Sequence, residues 1–376
     1  MDKLNIGLIG YGYIGQIHTM VYKNLPILLP ELNDKYDMSL VISKKLKNTE
    51  GLGWHRLYST VDEVEEEIKL DIVDICTPNF LHYEQGKKFI DRGTNIYCEK
   101  PMALNYEESL DMANSAEDKG LITQLALVYR FMPAIAKAKA IVESGLLGEI
   151  ISFRGELLHS SYLNPERKMN WRLIKEQSGG GAIVDLGVHV VDSLMFILGE
   201  NKIKAVNART NTVIKERPDG NSKNLSKVDV DDWGLITLEL ENESIGTIEV
   251  SKVNYNPNSN FHIDIYGQNG HLSISDKDPY NPIFNSFIDK NEKDIFREIN
   301  ENKYVKYLNS IYPTAKMSMG RMADVHAASV SNMLYNIIKG EVAYKETPTF
   351  KESLKSQKII DLSYESSNEN GKQIIL

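Results

Sequence analysis

The first 130 residues alternate short apolar runs with amphipathic stretches. Residues 4–9 form a compact apolar run that ends at Gly10, long enough for a strand and too short for a helix. Further runs at 38–42, 72–76, 95–98 and 121–128 predict four more strands. Helical periodicity lies between them at 14–23, at 60–69 with Thr60 and Glu63 as a capping box, at 80–92 closed by Gly93, and at 106–119 closed by Gly120. Near-continuous apolar strands that alternate with helices predict a parallel sheet covered on both faces. The expected fold class is therefore α/β, beginning with a doubly wound parallel-sheet domain over residues 1–125.

After Arg130 the pattern changes. Pro133 starts a helix that ends at Gly145, 150–158 reads as a strand, and 183–198 reads as one long apolar helix stopped by Gly199. Strands follow at 205–212, 235–241, 245–253, 261–266 and 271–275 with little helix between them, so the second sheet is expected to be large, open and mostly antiparallel. Residues 276–318 are polar and Asn-rich and read as a long excursion with one short helix. Two helical patterns, 322–339 and 350–366, finish the chain. The second domain is placed at 126–376, with the last helices able to pack back on the first.

Composition narrows the function classes. The 376 residues are 42% hydrophobic and 25% charged, an ordinary globular balance. The net charge of −9 argues against nucleic acid as a partner, which needs a basic footprint. No apolar run approaches the roughly 18 residues of a membrane span, and the glycines and asparagine near the start argue against a signal peptide. Two cysteines, Cys76 and Cys98, exclude a disulfide framework and fit a reducing compartment. A soluble cytoplasmic protein is the expectation.

Gly10-Tyr11-Gly12-Tyr13-Ile14-Gly15 is a GxGxxG between the first strand and the first helix. Gly10 permits the tight turn, Gly12 lets the backbone approach a pyrophosphate, and Gly15 lets helix and strand pack closely. The helix N-terminus, at Tyr13 and Ile14, then offers N–H groups and a positive dipole end to phosphates. A NAD-preferring site carries an acid after the second strand; here Ser43-Lys44-Lys45 follows, with no acid until Glu50. Ser43 and Lys44 can hold a 2′-phosphate, which favours NADP while leaving NAD open; the lysines also fit as solvated loop charges.

The third and fourth strands end in Thr77-Pro78-Asn79 and Glu99-Lys100-Pro101, at the sheet edge where doubly wound folds bind ligands. Asn79 also fits as the N-cap of the helix that follows. A lysine at that edge can orient a substrate hydroxyl and stabilise negative charge on its oxygen. Asp185, His189 and Asp192 are four and three residues apart, which places them on one helical face. Either they form a hydrogen-bonded core group, or His189 is a general acid/base adjusted by Asp185. No third His or Cys has zinc-site spacing, so no metal is assigned. Trp171 and Arg172 can wall a sugar pocket or pack as an ordinary pair. His18, His82, His159, His262 and His326 carry no pairing signal, although His82 can support the edge beside Asn79.

Together GYGYIG, TPNFLH, YCEKPMALN, VYRFMPA, SGLLGEI, WRL…SGGGAIVDLGVH and IYGQNGHLSI resemble the glucose–fructose oxidoreductase, inositol dehydrogenase and rhizopine catabolism (Gfo/Idh/MocA) family over nearly the whole length. That resemblance implies an NAD(P)-dependent oxidoreductase transferring hydride between a nicotinamide and a sugar or polyol hydroxyl or carbonyl. It also implies a homodimer or homotetramer assembled through the open sheet. It makes Lys100 the catalytic lysine, Asp185 the substrate-site aspartate and His189 the proton-transferring histidine. Glu99 and Asn79 fall where the family lines the nicotinamide half, and Thr77, His82 and Lys100 are taken as cofactor-binding beside them. Family members often hold the Lys-Pro bond cis, and Lys100-Pro101 suits it. Two alternatives follow from relatives: a cofactor-assisted glycosidase without net redox change, and a non-catalytic nucleotide-sensing regulator.

Overall fold

The computed structural model describes residues 3–199, 202–220, 224–255, 260–287 and 292–376. Two compact units divide the chain: Met1–Phe131 with Ser310–Leu354, and Met132–Asn309 with Lys355–Leu376.

The first unit is built on six parallel strands: β1 (Leu4–Ile9), β2 (Tyr36–Ile42), β3 (Arg56–Tyr58), β4 (Ile72–Ile75), β5 (Asn95–Cys98) and β6 (Thr123–Leu125). Their order is β3-β2-β1-β4-β5-β6, which reverses direction between β1 and β4. All four residues of β4 are buried, and since successive side chains point to opposite faces, both faces of the sheet are covered. The helix Tyr13–Leu28 packs with Arg321–Lys339, and His82–Asp91 packs with Tyr106–Asp118.

Residues 60–69 do not form the expected helix. Only a single 3-10 turn, Val61–Glu63, is present, and Thr60 makes no side-chain cap; the Glu63 carboxylate instead accepts from the Ser59 N–H at 2.8 Å. Five acids crowd positions 62–67, and of residues 60–69 only Val64 is buried, so a helix here would have no apolar face and would carry like charges one turn apart. Helix Tyr13–Leu28 runs five residues past its expected end and contains Pro26.

In the second unit an eight-stranded sheet contains β7 (Ile150–Leu158), β8 (Ile203–Asn211), β11 (Trp233–Leu240), β12 (Ile245–Ser251), β13 (Phe261–Gly267), β14 (Gly270–Ser275), β15 (Ile283–Ser286) and β16 (Ile374–Ile375). Between them β9 (Glu216–Pro218) and β10 (Leu225–Lys227) form a separate ribbon. The order is β15-β14-β13-β7-β12-β11-β8-β16, antiparallel at every step except β7 with β12. Ile236, Leu238, Ile248, Val250, Ile263 and Ile265 point inward and are buried. Helices Pro133–Glu143 and Val188–Leu198 pack together against that inner face. Gly155 on β7 makes room for this packing, since a Cβ there would lie 2.4 Å from Val190.

The outward face is mixed rather than apolar. Trp233, Leu235 and Ile245 share it with Thr237, Glu239, Thr247 and Glu249. The stretch Lys175–Leu198 is long and apolar enough to cross a membrane, contrary to expectation, yet 89% of its apolar window is buried within the protein. Within 276–318 the structure forms β15 and two helices, Glu292–Asn300 and Lys303–Ile311, where one short helix was expected. The first of them packs on Pro133–Glu143.

Candidate active site

The glycine turn follows β1 directly. Gly10 has φ +95°, and a Cβ on it would lie 2.8 Å from the Cys76 carbonyl and 2.9 Å from the Thr77 nitrogen. This turn is therefore pressed against the end of β4. At Gly15 a Cβ would reach within 2.1 Å of the Gly10 carbonyl oxygen, so helix and turn demand glycine there. Gly12 differs: nothing lies within 4 Å of where its Cβ would be. It is the N-cap of a 16-residue helix with no side-chain cap and no acid in its first turn. Open space before a helix N-terminus fits a diphosphate. Tyr13 is exposed and Ile14 half-buried beside it. At the end of β2, Ser43 is buried, its N–H donating to the Tyr58 carbonyl and its Oγ accepting from the Lys45 N–H, while Lys44 and Lys45 are exposed.

The ends of β4 and β5 collect Thr77, Asn79, Glu99 and Lys100. Thr77 Oγ1 donates to Gln85 at 2.7 Å. Asn79 is not the expected cap: it is the buried first residue of a 3-10 turn, Asn79–Leu81, whose N-cap is Pro78, and no side chain caps that turn or the helix after it. His82, fully buried, lies 2.8 Å from both the Thr77 and Pro101 carbonyls and so ties the two loops together. Burial pushes its pKa down, and a neutral ring donates to one of these carbonyls. The Lys100-Pro101 bond is cis.

Behind this edge lies a group for which the histidines themselves carry no sequence signal. His18 Nδ1 is 2.8 Å from Asp74, while His18 Nε2 is 3.2 Å from Glu99 and 2.9 Å from His326 Nδ1. Tyr22 donates to Asp74, and Cys76 Sγ is 3.2 Å from His18. The lone charge in the apolar strand Ile72–Ile75 was the available clue, because a buried carboxylate needs a partner.

In the second unit the apolar helix opens irregularly. Residues Ile183–Gly187 form a π turn and Val188–Leu198 continues as an α-helix. Asp231 fixes that opening: its carboxylate accepts from the Gly181 and Ile183 N–H groups at 2.9 Å and from the Tyr364 hydroxyl at 2.6 Å. Gly181 is required by this approach, since a Cβ would fall 1.9 Å from the Asp231 carbonyl oxygen. π turns recur at functional sites, and this one carries Asp185. His189 and Asp192 are both buried on the helix that follows.

Asp185 has a partner absent from the sequence reading. Lys252 Nζ lies 3.2 Å from its carboxylate; the lysine side chain is 1% exposed and the aspartate 29%. The cation is sealed inside while the carboxylate reaches outward. Lys252 also lies 5.4 Å from the centre of the Tyr162 ring, which Arg217, fully buried, approaches at 5.7 Å. A charged residue inside the apolar end of 245–253 was the signal. Trp171 and Arg172 are half-buried and stack on each other, with the guanidinium 4.2 Å from the ring centre. Lys100 belongs to the first unit, and Asp185, His189, Trp171 and Arg172 to the second.

Comparison with known proteins agrees with this reading of the fold. Residues 4–127 match the oxidoreductase family with an NAD-binding Rossmann fold, and residues 135–273 match the GFO/IDH/MocA C-terminal domain. Levoglucosan dehydrogenase of Pseudarthrobacter phenanthrenivorans is 30% identical over 340 residues, 85% of this chain and 86% of that protein. Glucose-6-phosphate 3-dehydrogenase of Bacillus subtilis is 27% identical over 73% of this chain and 75% of its own length. A solved levoglucosan dehydrogenase in complex with NADH and levoglucosan covers all of this chain and 99% of that one, with TM-score 0.86 at 26% identity. These matches extend through both units, and the chain belongs to the Gfo/Idh/MocA family of NAD-binding oxidoreductases.

Proposed function

We propose that the protein is an NAD(P)-dependent dehydrogenase of a sugar or polyol. The carrying observation is that the same chain holds Lys100 after β5, Asp185 and His189 on the irregular helix, and a glycine turn open at Gly12. The names of the relatives, which act on levoglucosan and glucose 6-phosphate, point to the substrate class. A regulator without chemistry has no use for all three side chains.

A bound nicotinamide would supply the acceptor for hydride leaving the hydroxyl-bearing carbon, or in reduction the donor of hydride to it. The Gly10–Gly15 turn and the N-terminus of helix Tyr13–Leu28 would hold its diphosphate, with Thr77, Asn79, His82 and Glu99 supporting the nicotinamide half. His189 takes the hydroxyl proton in oxidation and returns it in reduction. Asp185 accepts a hydrogen bond from the substrate or from the imidazole. Lys100 stabilises the charge that develops on the oxygen. Ser43 and Lys44, with no carboxylate before Glu50, favour NADP over NAD. The open outward sheet face is the surface for a homodimer or homotetramer, with residues 1–125 serving the cofactor and 126–376 the substrate and assembly.

Screening hexoses, anhydro-sugars, inositols and keto sugars with NADP and NAD, following absorbance of the reduced cofactor, tests the reading. Turnover of at least one substrate is expected. Bound cofactor with no redox turnover on any of them would overturn it in favour of cofactor-assisted cleavage or of sensing.

A further inference from the structure

The buried polar group of the first unit is assembled from four elements and, apart from Glu99, has no part in the roles assigned so far. His18 comes from helix Tyr13–Leu28, Asp74 from β4, Glu99 from the position after β5, and His326 from helix Arg321–Lys339. Their relative exposures are 0, 0, 8 and 2%. The ring of His18 is caught between two carboxylates, Asp74 at Nδ1 (2.8 Å) and Glu99 at Nε2 (3.2 Å). Glu99 Oε1 is sealed from solvent and makes no hydrogen bond of good geometry; the imidazoles of His18 and His326 stand 3.2 and 3.7 Å from it. Glu99 is also the covalent neighbour of Lys100 and the cis Pro101.

We propose, on the dehydrogenase reading above, that His18 is a positioning residue for hydride transfer: clamped between Asp74 and Glu99, its ring fixes the Glu99 carboxylate and with it the backbone from which Lys100 projects. His18 Nδ1 donates to Asp74 and Nε2, with Glu99 3.2 Å away, donates to His326, so both nitrogens of His18 carry hydrogen and the ring is a cation. His326 then accepts at Nδ1 and is neutral, its pKa pushed by burial down to about 3. Burial opposes the charge on His18, but Asp74 and Glu99 outweigh it and hold the pKa up at about 10. Burial likewise works to raise Glu99, and the His18 cation beside it, with Lys100, draws it down to about 2. The other ionisable groups facing the ring are Cys76 after β4, Tyr97 on β5, and Tyr22 on its own helix. Tyr22, Tyr97 and Cys76 all have pKa values raised by burial and so stay neutral. In the array the cation therefore stands between two anions, next to Lys100.

Two measurements decide this. Nitrogen-15 NMR of histidine-labelled wild-type protein is expected to show both His18 nitrogens protonated to at least about pH 8, above the range of an unperturbed imidazole. A neutral His18 at that pH overturns the proposal, and so does a stoichiometric metal ion found by elemental analysis, because it would replace the proton between His18, Glu99 and His326. The second measurement is the pH profile of kcat/KM. His18→Gln removes the cation beside Glu99 and should move the acid limb up by about one pH unit or more. Asp74→Asn removes the anion that keeps His18 charged and should add a new alkaline limb. Shifts at opposite ends of the profile are the signature of the clamp. Lower thermal stability with wild-type pH profiles in both variants would mean a purely structural role and would overturn it. If the variants do not fold, the nitrogen titration of the wild type decides. Failure of the wild type to turn over any sugar would instead sink the dehydrogenase reading, and the titration would still report the state of His18.

Discussion

The two units handle buried charge in opposite ways, and the difference follows from their sheets. In the first, every residue of Ile72–Ile75 is buried because helices cover both faces, so Asp74 has no route to water. In the second, β11 alternates buried and half-buried residues along its whole length, and a polar side chain normally turns outward. Among the charged groups that enter that interior, Lys252 does so where regular alternation breaks, just past the end of β12, and pairs with Asp185 on the π turn. The first unit answers the buried carboxylates Asp74 and Glu99 with a buried histidine array, whereas in the second the Lys252–Asp185 pair stays open to solvent on one side. The parallel sheet commits a polar residue by its position, the open sheet by its irregularities.

The largest expected effect concerns chemistry in the second unit. His189→Ala should lower kcat by about 10²–10⁴-fold, the usual contribution of general acid/base catalysis, with cofactor affinity nearly unchanged. Lys100→Met should lose activity comparably or more. Steady-state kinetics with a fluorescence titration of the cofactor separates the two quantities. Full activity of His189→Ala on the true substrate would remove the acid/base from this helix and leave the reaction to the first unit.

Stability comes next, through the asymmetry of the Lys252–Asp185 pair. Asp185→Ala strands a lysine that is 1% exposed and should destabilise by about 3 kcal/mol, the low end for an orphaned buried charge, since Asp232 remains a more distant counter-charge. Lys252→Met leaves an aspartate that can hydrate, and should cost on the order of 1 kcal/mol. Urea unfolding of both variants checks the ranking. Equal losses would show that Asp185 is as sealed as its partner.

The interior network of the first unit predicts the pH window of stability. His18 has a raised pKa, so its contribution is fully present below about 6.5 and is lost as pH rises toward about 10. Glu99 has a lowered pKa, so its contribution is present above about 4.5 and is lost as pH falls toward about 2. The Tm should therefore be highest between these limits and fall on both sides. His18→Gln should flatten the alkaline fall in particular, which differential scanning calorimetry across pH reads directly.

How much of this was legible in the sequence depended on whether the signal was local. Strands 4–9 and 150–158 are found at their expected bounds, because an apolar run bracketed by turn residues needs no distant information. Helices Glu292–Asn300 and Lys303–Ile311 were hidden: Ile295, Ile299, Val305, Leu308 and Ile311 are buried at helical spacing, but asparagine, lysine and glutamate surround them and mask the period. The capping box at Thr60 misled because a cap signal stabilises a helix only when an apolar face exists to bury. Glu99, Lys100, Asp185 and His189 sit in recognisable local patterns. The pairing of His18 with His326 bridges 308 positions, and only the fold brings them together. Lys252 could have been flagged, since a lysine between Ser251 and Val253 interrupts the inward run.

The smallest effect expected is on cofactor choice, at the C-terminal end of β2. Ser43 is held by backbone contacts to Tyr58 and Lys45, whereas Lys44 and Lys45 are exposed and solvated. Exposed charges are screened, so each lysine can favour a 2′-phosphate by only a fraction to about 1 kcal/mol. Their sum, with the serine hydroxyl and no opposing carboxylate, gives an expected NADP preference near tenfold, about 1.4 kcal/mol. Lys44→Ala should reduce that preference severalfold, should do so more at low salt than at high salt, and should leave NAD affinity unchanged. Tighter binding of NAD than of NADP by the wild type would mean that the lysines are ordinary loop charges. It would also mean that the adenosine ribose is read by groups other than the side chains that follow β2.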